Sequence, residues 1–258
     1  MRTVTFIAAL MFLLFSLSMS HSSAETQRHP GIIIPLYTYP TDSSWAQTIR
    51  AKQAYPKVPF VVIIDPGSGP GGPGASSDPK FVSGVTKLQN AGITVIGYDY
   101  TSDGARSISA AEADVRSYVK WYHVNGIFFD EMAYDGTPSH VTYYKNLEAY
   151  SVSEELTMTV GNPGTPVPSD LVGIFNVLCI YENSGMPTIS AIDGYRAYGP
   201  AGFYFIAHGV TGFPSSQVLS DLSYVNWIYV TNAGEPYPYS KLPTYFSSEV
   251  AFLQTGCS

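Results

Sequence analysis

The chain alternates short apolar segments with longer segments of mixed polarity, almost to its C-terminus. The short segments are rich in β-branched and aromatic residues without strict apolar–polar alternation, which is typical of parallel strands buried on both faces. Eight strands are predicted, at residues 31–37, 59–65, 94–98, 126–130, 157–162, 177–181, 203–208 and 227–230. Helices are predicted at residues 43–54, 79–90, 110–122, 139–151, 188–195 and 215–223, with a closing helix at 246–253; the proline-rich stretch 166–173 leaves a helix there in doubt.

This order of elements predicts a parallel α/β fold. The strand count favours a closed (β/α)8 barrel, or TIM barrel, over an open doubly wound sheet, because eight strands are what closure requires whereas an open sheet needs no particular number. Such a barrel typically takes roughly 250 residues, so residues 25–258 are expected to form one domain.

The N-terminus has the pattern of a secretory signal. Arg2 precedes an apolar run over residues 6–17, and the small residues Ser22, Ser23 and Ala24 follow it. We therefore expect residues 1–24 to be a cleaved signal peptide and the protein to be secreted, to the extracellular space or the cell wall. An uncleaved membrane anchor is the alternative, which the shortness of the run disfavours because a spanning helix needs about 20 residues.

Charge and composition narrow the partners. The net charge is −7, and loss of Arg2 with the signal would leave 12 basic against 20 acidic residues, or −8. An acidic surface repels phosphate backbones, so a nucleic-acid partner is not expected. The 20 tyrosines suit a sugar-binding cleft. We expect a monomer that needs no cofactor or metal. Cys179 and Cys257 could form a disulfide bond; in the alternative, Cys179 is a free, buried thiol.

Polar or tyrosyl residues follow nearly every predicted strand. In (β/α)8 barrels the active site forms where strands end and βα loops begin. Because the strand interiors are almost free of charge, the carboxylates are expected to gather at that end. The residues at the strand ends are Tyr37, Asp65, Tyr98, Asp99, Asp130, Glu131, Asn162, Glu182, His208, Thr231 and Asn232.

Three of these acids carry the prediction of function. Asp130 and Glu131 end the fourth strand, and Glu182 ends the sixth, each after an apolar run. Strands four and six are separated by one strand, so their ends flank a common cleft. Glycoside hydrolysis needs two carboxyl groups across the scissile bond, which this arrangement supplies. The alternative is a salt-bridge network at the barrel mouth, through Arg106 or Arg196.

Other motifs are weaker. Residues 67–72 match Gly-x-Gly-x-x-Gly, but prolines interrupt the segment and no helix begins before residue 78, so a loop on the rim of the site is favoured over a dinucleotide site. No Gly-x-Ser-x-Gly elbow is present. His208 is expected to bind substrate or hold a carboxylate rather than to act as a general base.

The chain resembles the spherulin-4-like family. The matching segments are GIIIPLY at 31–37 with Trp45, residues 59–71, AGITVIGY at 91–98, Thr101 with Arg106, Tyr118 with Trp121 and Tyr122, GIFFDEM at 126–132, NPGT at 162–165, and Glu182. The family includes a fungal endo-α-1,4-N-acetylgalactosaminidase acting on galactosaminogalactan. The resemblance implies that Asp130, Glu131 and Glu182 are the functional acids.

On this basis we predict Asp130 as nucleophile and Glu182 as general acid/base, with Glu131 tuning the site or binding sugar. Tyr37, Asp65, Tyr98, Asn162 and His208 are the predicted substrate-binding residues. The chain departs from the family pattern at Asp65, where Asn is expected, and at Asp103, where an aromatic residue is usual, and Asp99 adds a carboxylate. These three acids are expected on cleft-facing loops, where they affect the choice of substrate. A non-catalytic polysaccharide-binding protein and a hydrolase of another α-linked glycan are the rival hypotheses.

Overall fold

The computed structural model describes residues 29–71 and 76–255. Within them, eight parallel strands form a closed barrel in the order of the chain, so the predicted (β/α)8 fold is confirmed. The predicted signal peptide at residues 1–24 lies outside the described residues. The strands are β1 (Gly31–Pro35), β2 (Phe60–Ile64), β3 (Thr94–Tyr100), β4 (Gly126–Asp130), β5 (Met158–Gly161), β6 (Val177–Ser184), β7 (Phe203–His208) and β8 (Trp227–Val230).

Helices cover the outside of the barrel. Two of them begin with an aspartate cap: the Asp42 carboxylate accepts from the Ser44 N–H at 2.8 Å, and Asp78 accepts from the Lys80 N–H at 2.7 Å. The helices are α1 (Ser43–Ala54), α2 (Pro79–Asn90), α3 (Ile108–Tyr122), α4 (Pro138–Ser153), α5 (Ile189–Ile192), α6 (Ser215–Asp221) and α7 (Phe246–Thr255).

The crossovers around β6 are the least regular. Only a 3-10 turn, Ser169–Leu171, connects β5 to β6, which agrees with the doubt over residues 166–173. The helix predicted at 188–195 is largely wrong: α5 covers four residues, and a 3-10 helix, Asp193–Tyr198, follows it. Close packing of helix on strand is seen best at Gly97 in β3. A Cβ there would lie 2.5 Å from the ring of Tyr118, so glycine allows α3 to pack on the barrel wall.

The barrel closes between β8 and β1 over a short register, Gly31 with Trp227 and Ile32 with Ile228. Beyond this short register, side chains form hydrogen bonds with backbone groups of the strands. The Tyr204 hydroxyl donates to the Ile33 carbonyl at 2.6 Å. The Val230 N–H donates to Oε1 of Glu249, a buried residue of α7, at 2.9 Å. Such contacts are expected because a buried backbone group without a partner is costly.

Candidate active site

Asp130 and Glu182 meet at the mouth of the barrel through one amide group. Nδ2 of Asn162, the residue after β5, donates to Asp130 Oδ1 at 2.7 Å and to Glu182 Oε2 at 2.5 Å. The two distances share one nitrogen atom, so their sum, 5.2 Å, is the upper limit for the separation of these two oxygens. Three predicted site residues are therefore brought together by consecutive strands β4, β5 and β6.

A β-bulge turns Glu182 towards the barrel interior. The register between β6 and β7 pairs Cys179 with Tyr204 and Tyr181 with Phe205, so one extra residue lies between the two pairs. Residues three apart, such as Cys179 and Glu182, would face opposite ways in a regular strand. The extra residue brings them to the same side, and Glu182 can thereby accept from Asn162 and Tyr239 at the mouth of the barrel. β6 then continues to Ser184, so Glu182 lies within the strand and not after it.

Two tyrosine hydroxyl groups complete the contacts of the acids. Tyr98 in β3 donates to Asp130, and Tyr239 donates to Glu182 Oε1. Tyr37, which follows β1, lies between the two rings, with centroids 5.7 Å from each and edge-to-face geometry. Tyr37 and Tyr98 were predicted for the site. Tyr239 was not, because it belongs to an irregular loop after β8, where neither strand ends nor spacing marks it.

Burial acts on both acids. Burial raises the pKa of Asp130, while hydrogen bonds from the Glu131 N–H, Asn162 and Tyr98 act to lower it. Burial also raises the pKa of Glu182, and the charge of Asp130 raises it further against the hydrogen bonds from Tyr239 and Asn162. The charge of Asp130 therefore favours the protonated form of Glu182. Hydrogen bonds, more than solvent, favour the ionised form of Asp130.

Glu131 lies apart from this pair. It is exposed, and its backbone adopts a positive φ of 49°. Its carbonyl accepts from the Asp103 N–H at 2.7 Å and from the Thr101 hydroxyl at 2.8 Å, and its carboxylate has a long contact of 3.5 Å with the Ser102 hydroxyl. The backbone of Glu131 thus ties the loop after β4 to the loop after β3. Its charge still reaches Tyr98, whose pKa it helps to raise.

Asp65 serves first as an anchor for its own loop. Its Oδ1 accepts from the Gly69 N–H at 2.8 Å, and burial raises its pKa against further backbone hydrogen bonds from residues 67 and 68. Gly69 has a φ of 136°, which is unfavourable for other residues. The carboxylate is close enough to Asp130 for the Asp130 charge to raise its pKa as well. Its predicted contact with substrate stays a prediction.

His208 is buried at the end of β7, and its contacts do not include the two acids. Its Nε2 lies 3.6 Å from Oε1 of the exposed Glu235, in the same loop as Tyr239. Its Nδ1 is buried without a hydrogen-bond partner among the described residues. His208 therefore lies at the end of the strand that neighbours β6, the strand of Glu182.

The expectation that Asp99 faces the cleft is wrong. Asp99 is fully buried on the outer side of β3 and pairs with Arg106, which also pairs with Asp114 of α3. The reason is strand alternation, because Tyr98 faces the barrel interior and the next residue must face the helices. Burial raises the pKa of Asp99 to about 8, and Arg106 opposes this shift. Asp103 is exposed on the loop after β3.

The salt-bridge alternative for the mouth of the barrel finds no support in these contacts. Arg106 is engaged by Asp99 and Asp114, and Arg196 donates to the Tyr224 hydroxyl at 2.6 Å. Within residues 29–71 and 76–255, neither arginine contacts Asp130, Glu131 or Glu182. The acids of the mouth are held by neutral donors.

A protein-family profile described as spherulation-specific family 4, Spherulin4, matches residues 31–253. The chain belongs to the Spherulin4 family. Spherulin-4 of Physarum polycephalum is 28% identical over 250 residues, which cover 90% of this chain and 72% of that protein. The resemblance that the sequence motifs indicated is therefore confirmed.

Solved structures extend the comparison of the Spherulin4 fold. Aspergillus clavatus Sph3, determined in complex with GalNAc, has a TM-score of 0.76 at 23% identity, covering 88% of this chain and 98% of that chain. Tryptophan synthase of Mycobacterium tuberculosis has a TM-score of 0.54 at 11% identity, covering 90% and 93%. Because the barrel is shared by unrelated enzymes, these likenesses concern the fold, and function must be argued from the site.

Among the described residues, no helix combines the length and apolar character needed to cross a bilayer. No group of three or more His, Cys, Asp or Glu side chains within the same residues is arranged to hold a metal ion. Cys179 is a buried thiol, and Cys257 lies outside the described residues, so both alternatives for this pair remain.

Proposed function

We propose that this Spherulin4 protein is a secreted glycoside hydrolase that cleaves α-1,4-linked N-acetylgalactosamine in a galactosaminogalactan-like polysaccharide, with retention of configuration. The observation that carries the proposal is the Asn162 bridge, which holds one oxygen of Asp130 within 5.2 Å of one oxygen of Glu182. Retaining glycosidases have carboxyl groups about 5–5.5 Å apart, whereas inverting enzymes need about 6.5–9.5 Å to admit a water molecule.

The roles of the two acids follow from their surroundings. Asp130 is the nucleophile, because three hydrogen bonds favour its ionised form. Glu182 is the general acid, because burial and the Asp130 charge both raise its pKa. Asp130 attacks the anomeric carbon while Glu182 passes its proton to the departing glycosidic oxygen. Glu182 then takes a proton from the water that attacks the same carbon, and Asp130 is released.

The surface around the acids suits a sugar chain. Tyr37 and residues 236–240 line a pocket beside the carboxyl pair, and tyrosine rings pack well on the C–H faces of sugars. Asp65, Tyr98, Asn162 and His208 are the other predicted contacts, and Glu131 is placed on the rim with a tuning or sugar-binding role. Sph3 was determined in complex with GalNAc, which supports a hexosamine substrate for this protein as well. The −8 charge of the secreted chain is compatible with a neutral or cationic polymer.

The test is hydrolysis of purified galactosaminogalactan, followed by new reducing ends. The wild type and the matched surface variants Asp170→Asn and Glu155→Gln should release them, whereas Asp130→Asn and Glu182→Gln should not. NMR spectra of the first product should show the α-anomer before mutarotation, as retention requires. Binding without release from any hexosamine polymer would favour the non-catalytic alternative, and full activity in both site variants would overturn the assignment of the acids. N-terminal sequencing of the exported protein, expected to begin at Glu25, tests the signal peptide.

A further inference from the structure

The two carboxyl groups belong to a closed ring of six side chains, and half of these side chains are tyrosines. Neighbours in the ring are in hydrogen-bond or aromatic contact, and each comes from a different strand or loop of the barrel mouth. In order around the ring, the members are Asp130, Asn162, Glu182, Tyr239, Tyr37 and Tyr98.

Each carboxyl group in the ring is held from two sides. Glu182 accepts from Asn162 at Oε2 and from Tyr239 at Oε1, so both of its oxygens are engaged. Asp130 accepts from Asn162 on one side and from Tyr98 on the other. Asn162 therefore sets the short separation of the acids, and the two hydroxyl groups set how each carboxyl plane is turned.

The aromatic half of the ring is joined by edge-to-face contacts. Tyr37 stands edge-on to Tyr98 and to Tyr239, with interplanar angles of 80° and 90°. Behind Tyr98 lies Phe128 of β4, at 6.4 Å between ring centroids, and behind Tyr239 lies Tyr229 of β8, also at 6.4 Å. Both hydroxyl-bearing rings are therefore fixed on two sides, and the edge-to-face contacts add to the burial of apolar surface.

We propose that Tyr239 and Tyr98 are paired positioning residues, one for each catalytic carboxyl group, and that Tyr37 sets the distance between them. The proposal rests on the glycosidase function proposed above. It assigns a role to a residue, Tyr239, that lies outside the strand ends and in a loop of irregular structure.

The phenol group of Tyr239 is a suitable partner for Glu182, the acid that changes its protonation state during the proposed reaction. The hydroxyl group can donate to an ionised carboxylate and can accept from a protonated carboxyl group. Burial beside Glu182 raises the pKa of Tyr239, so the phenol stays neutral through the cycle. When Glu182 gives up its proton, Tyr239 stabilises the new carboxylate without supplying a fixed positive charge.

The pH behaviour of Glu182 depends on every group that faces it. From the loop after β8, Glu235 adds a negative charge that raises the pKa of Glu182, and from β4 Asp130 does the same. The charge of Glu182 in turn raises the pKa of four described groups, Tyr37, Cys179, Tyr204 and Tyr239. All four are neutral in the pH range of the reaction, because burial raises the pKa of each.

The experiment combines direct titration with kinetics. In protein labelled with ¹³C at the carboxyl groups of Glu and Asp, Tyr239→Phe should raise the pKa of Glu182, and Tyr98→Phe should raise that of Asp130. In the profile of kcat/KM against pH, Tyr239→Phe should shift the basic limb to higher pH, and Tyr98→Phe should shift the acidic limb to higher pH. Each variant should also lower kcat roughly tenfold or more, because each removes one hydrogen bond to a charged group. Tyr37→Phe keeps the aromatic side chain and should shift neither limb of the pH profile, whereas Tyr37→Ala should shift both.

Tyr237→Phe is the matched control, because it removes a hydroxyl group from the same loop and should leave both titrations in place. Unchanged titrations of Glu182 and Asp130 in the Tyr239→Phe and Tyr98→Phe proteins would overturn the proposal even if the enzyme cleaves its polysaccharide. If the two variants shift the pKa values of Glu182 and Asp130 but the wild type cleaves no polysaccharide, the positioning roles of the tyrosines would be supported and the proposed function would be overturned. The two failures are therefore distinct.

Discussion

Two groups of buried acids lie on opposite faces of the same barrel wall, and they are held in different ways. Inside the barrel, Asp130 and Glu182 receive hydrogen bonds from Asn162 and from tyrosine hydroxyl groups. Outside it, Asp99 is paired with the guanidinium group of Arg106. Tyr98 and Asp99 are consecutive residues, so a single step along β3 separates the two environments.

The difference concerns what each acid is free to do. A guanidinium group keeps its charge at all relevant pH values, so Arg106 favours the ionised form of Asp99 against the burial that raises its pKa. Neutral donors stabilise the carboxylate less, and the protonated form stays accessible. The inner pair is therefore suited to the proton transfer proposed above, whereas the outer cluster links α3 to the barrel wall. We expect substitutions at the two sites to separate activity from stability.

The largest effect is expected from the inner acids. Asp130→Asn removes the proposed nucleophile and Glu182→Gln the proposed proton donor, so either should lower kcat at least 10³-fold, measured as release of reducing ends. Thermal unfolding should change little, since both replacements keep the side-chain shape. Asp114→Asn, in the outer cluster, is the control and should retain most of the activity. An inactive Asp114→Asn protein with native stability would contradict the separation of the two sites.

The second effect concerns the outer cluster. Arg106→Met leaves Asp99 buried without its cation, and removal of one partner of a buried pair typically costs about 3–5 kcal/mol of unfolding free energy. Denaturant unfolding measures it. The exposed Arg116→Met on α3 serves as control, with little change expected. Adding Asp99→Asn to Arg106→Met should recover part of the loss, and a single variant as stable as the wild type would show that the ion pair does not hold this wall.

The third effect tests the bridge between the inner acids. Asn162→Ala removes hydrogen bonds that lower the pKa of Asp130 and of Glu182, so both limbs of the pH profile should move upwards. Loss of alignment should reduce kcat by roughly 10²-fold. Steady-state kinetics from pH 3 to pH 9 would measure both changes, with Asn183→Ala on β6 as control. A pH profile identical to that of the wild type would show that the Asn162 bridge controls neither the pKa values nor the alignment of the two acids.

The smallest effect extends the comparison to Glu249, a buried acid with a neutral donor but outside the site. Burial raises its pKa to about 8 from an ordinary value of 4.5. Between these values the unfolded chain releases the proton and the folded chain keeps it, so stability falls as pH rises from about 4.5 to about 8. Glu249→Gln should remove this dependence and raise Tm at pH 8 by a few degrees. Glu155→Gln should show the same dependence of Tm on pH as the wild type. If Tm depended on pH in the same way in both variants, the raised pKa of Glu249 would be contradicted.

Much of the architecture follows from local pattern. Short apolar strands alternating with helices were enough to predict eight parallel strands and a barrel, because burial on both faces leaves a continuous apolar signal in each strand. The position of Asp130 was equally accessible, since a charge directly after an apolar strand must lie at the strand end. Motifs along the whole chain indicated the family, which the comparison with Spherulin4 proteins confirmed.

The sequence by itself therefore determined the fold, the end of the barrel that carries the acids, and the family of the protein. The sequence also paired Asp130 with Glu182, and only the tertiary structure decided how these two acids meet. The bulge in β6 reverses the facing of Glu182 relative to Cys179, and no local pattern marks an inserted residue. Tyr239 reaches Glu182 from 57 positions along the chain, through a loop whose path depends on barrel closure. Asp130 and Glu131, neighbours in sequence, are separated in role because one side chain enters the ring and the other turns to the rim.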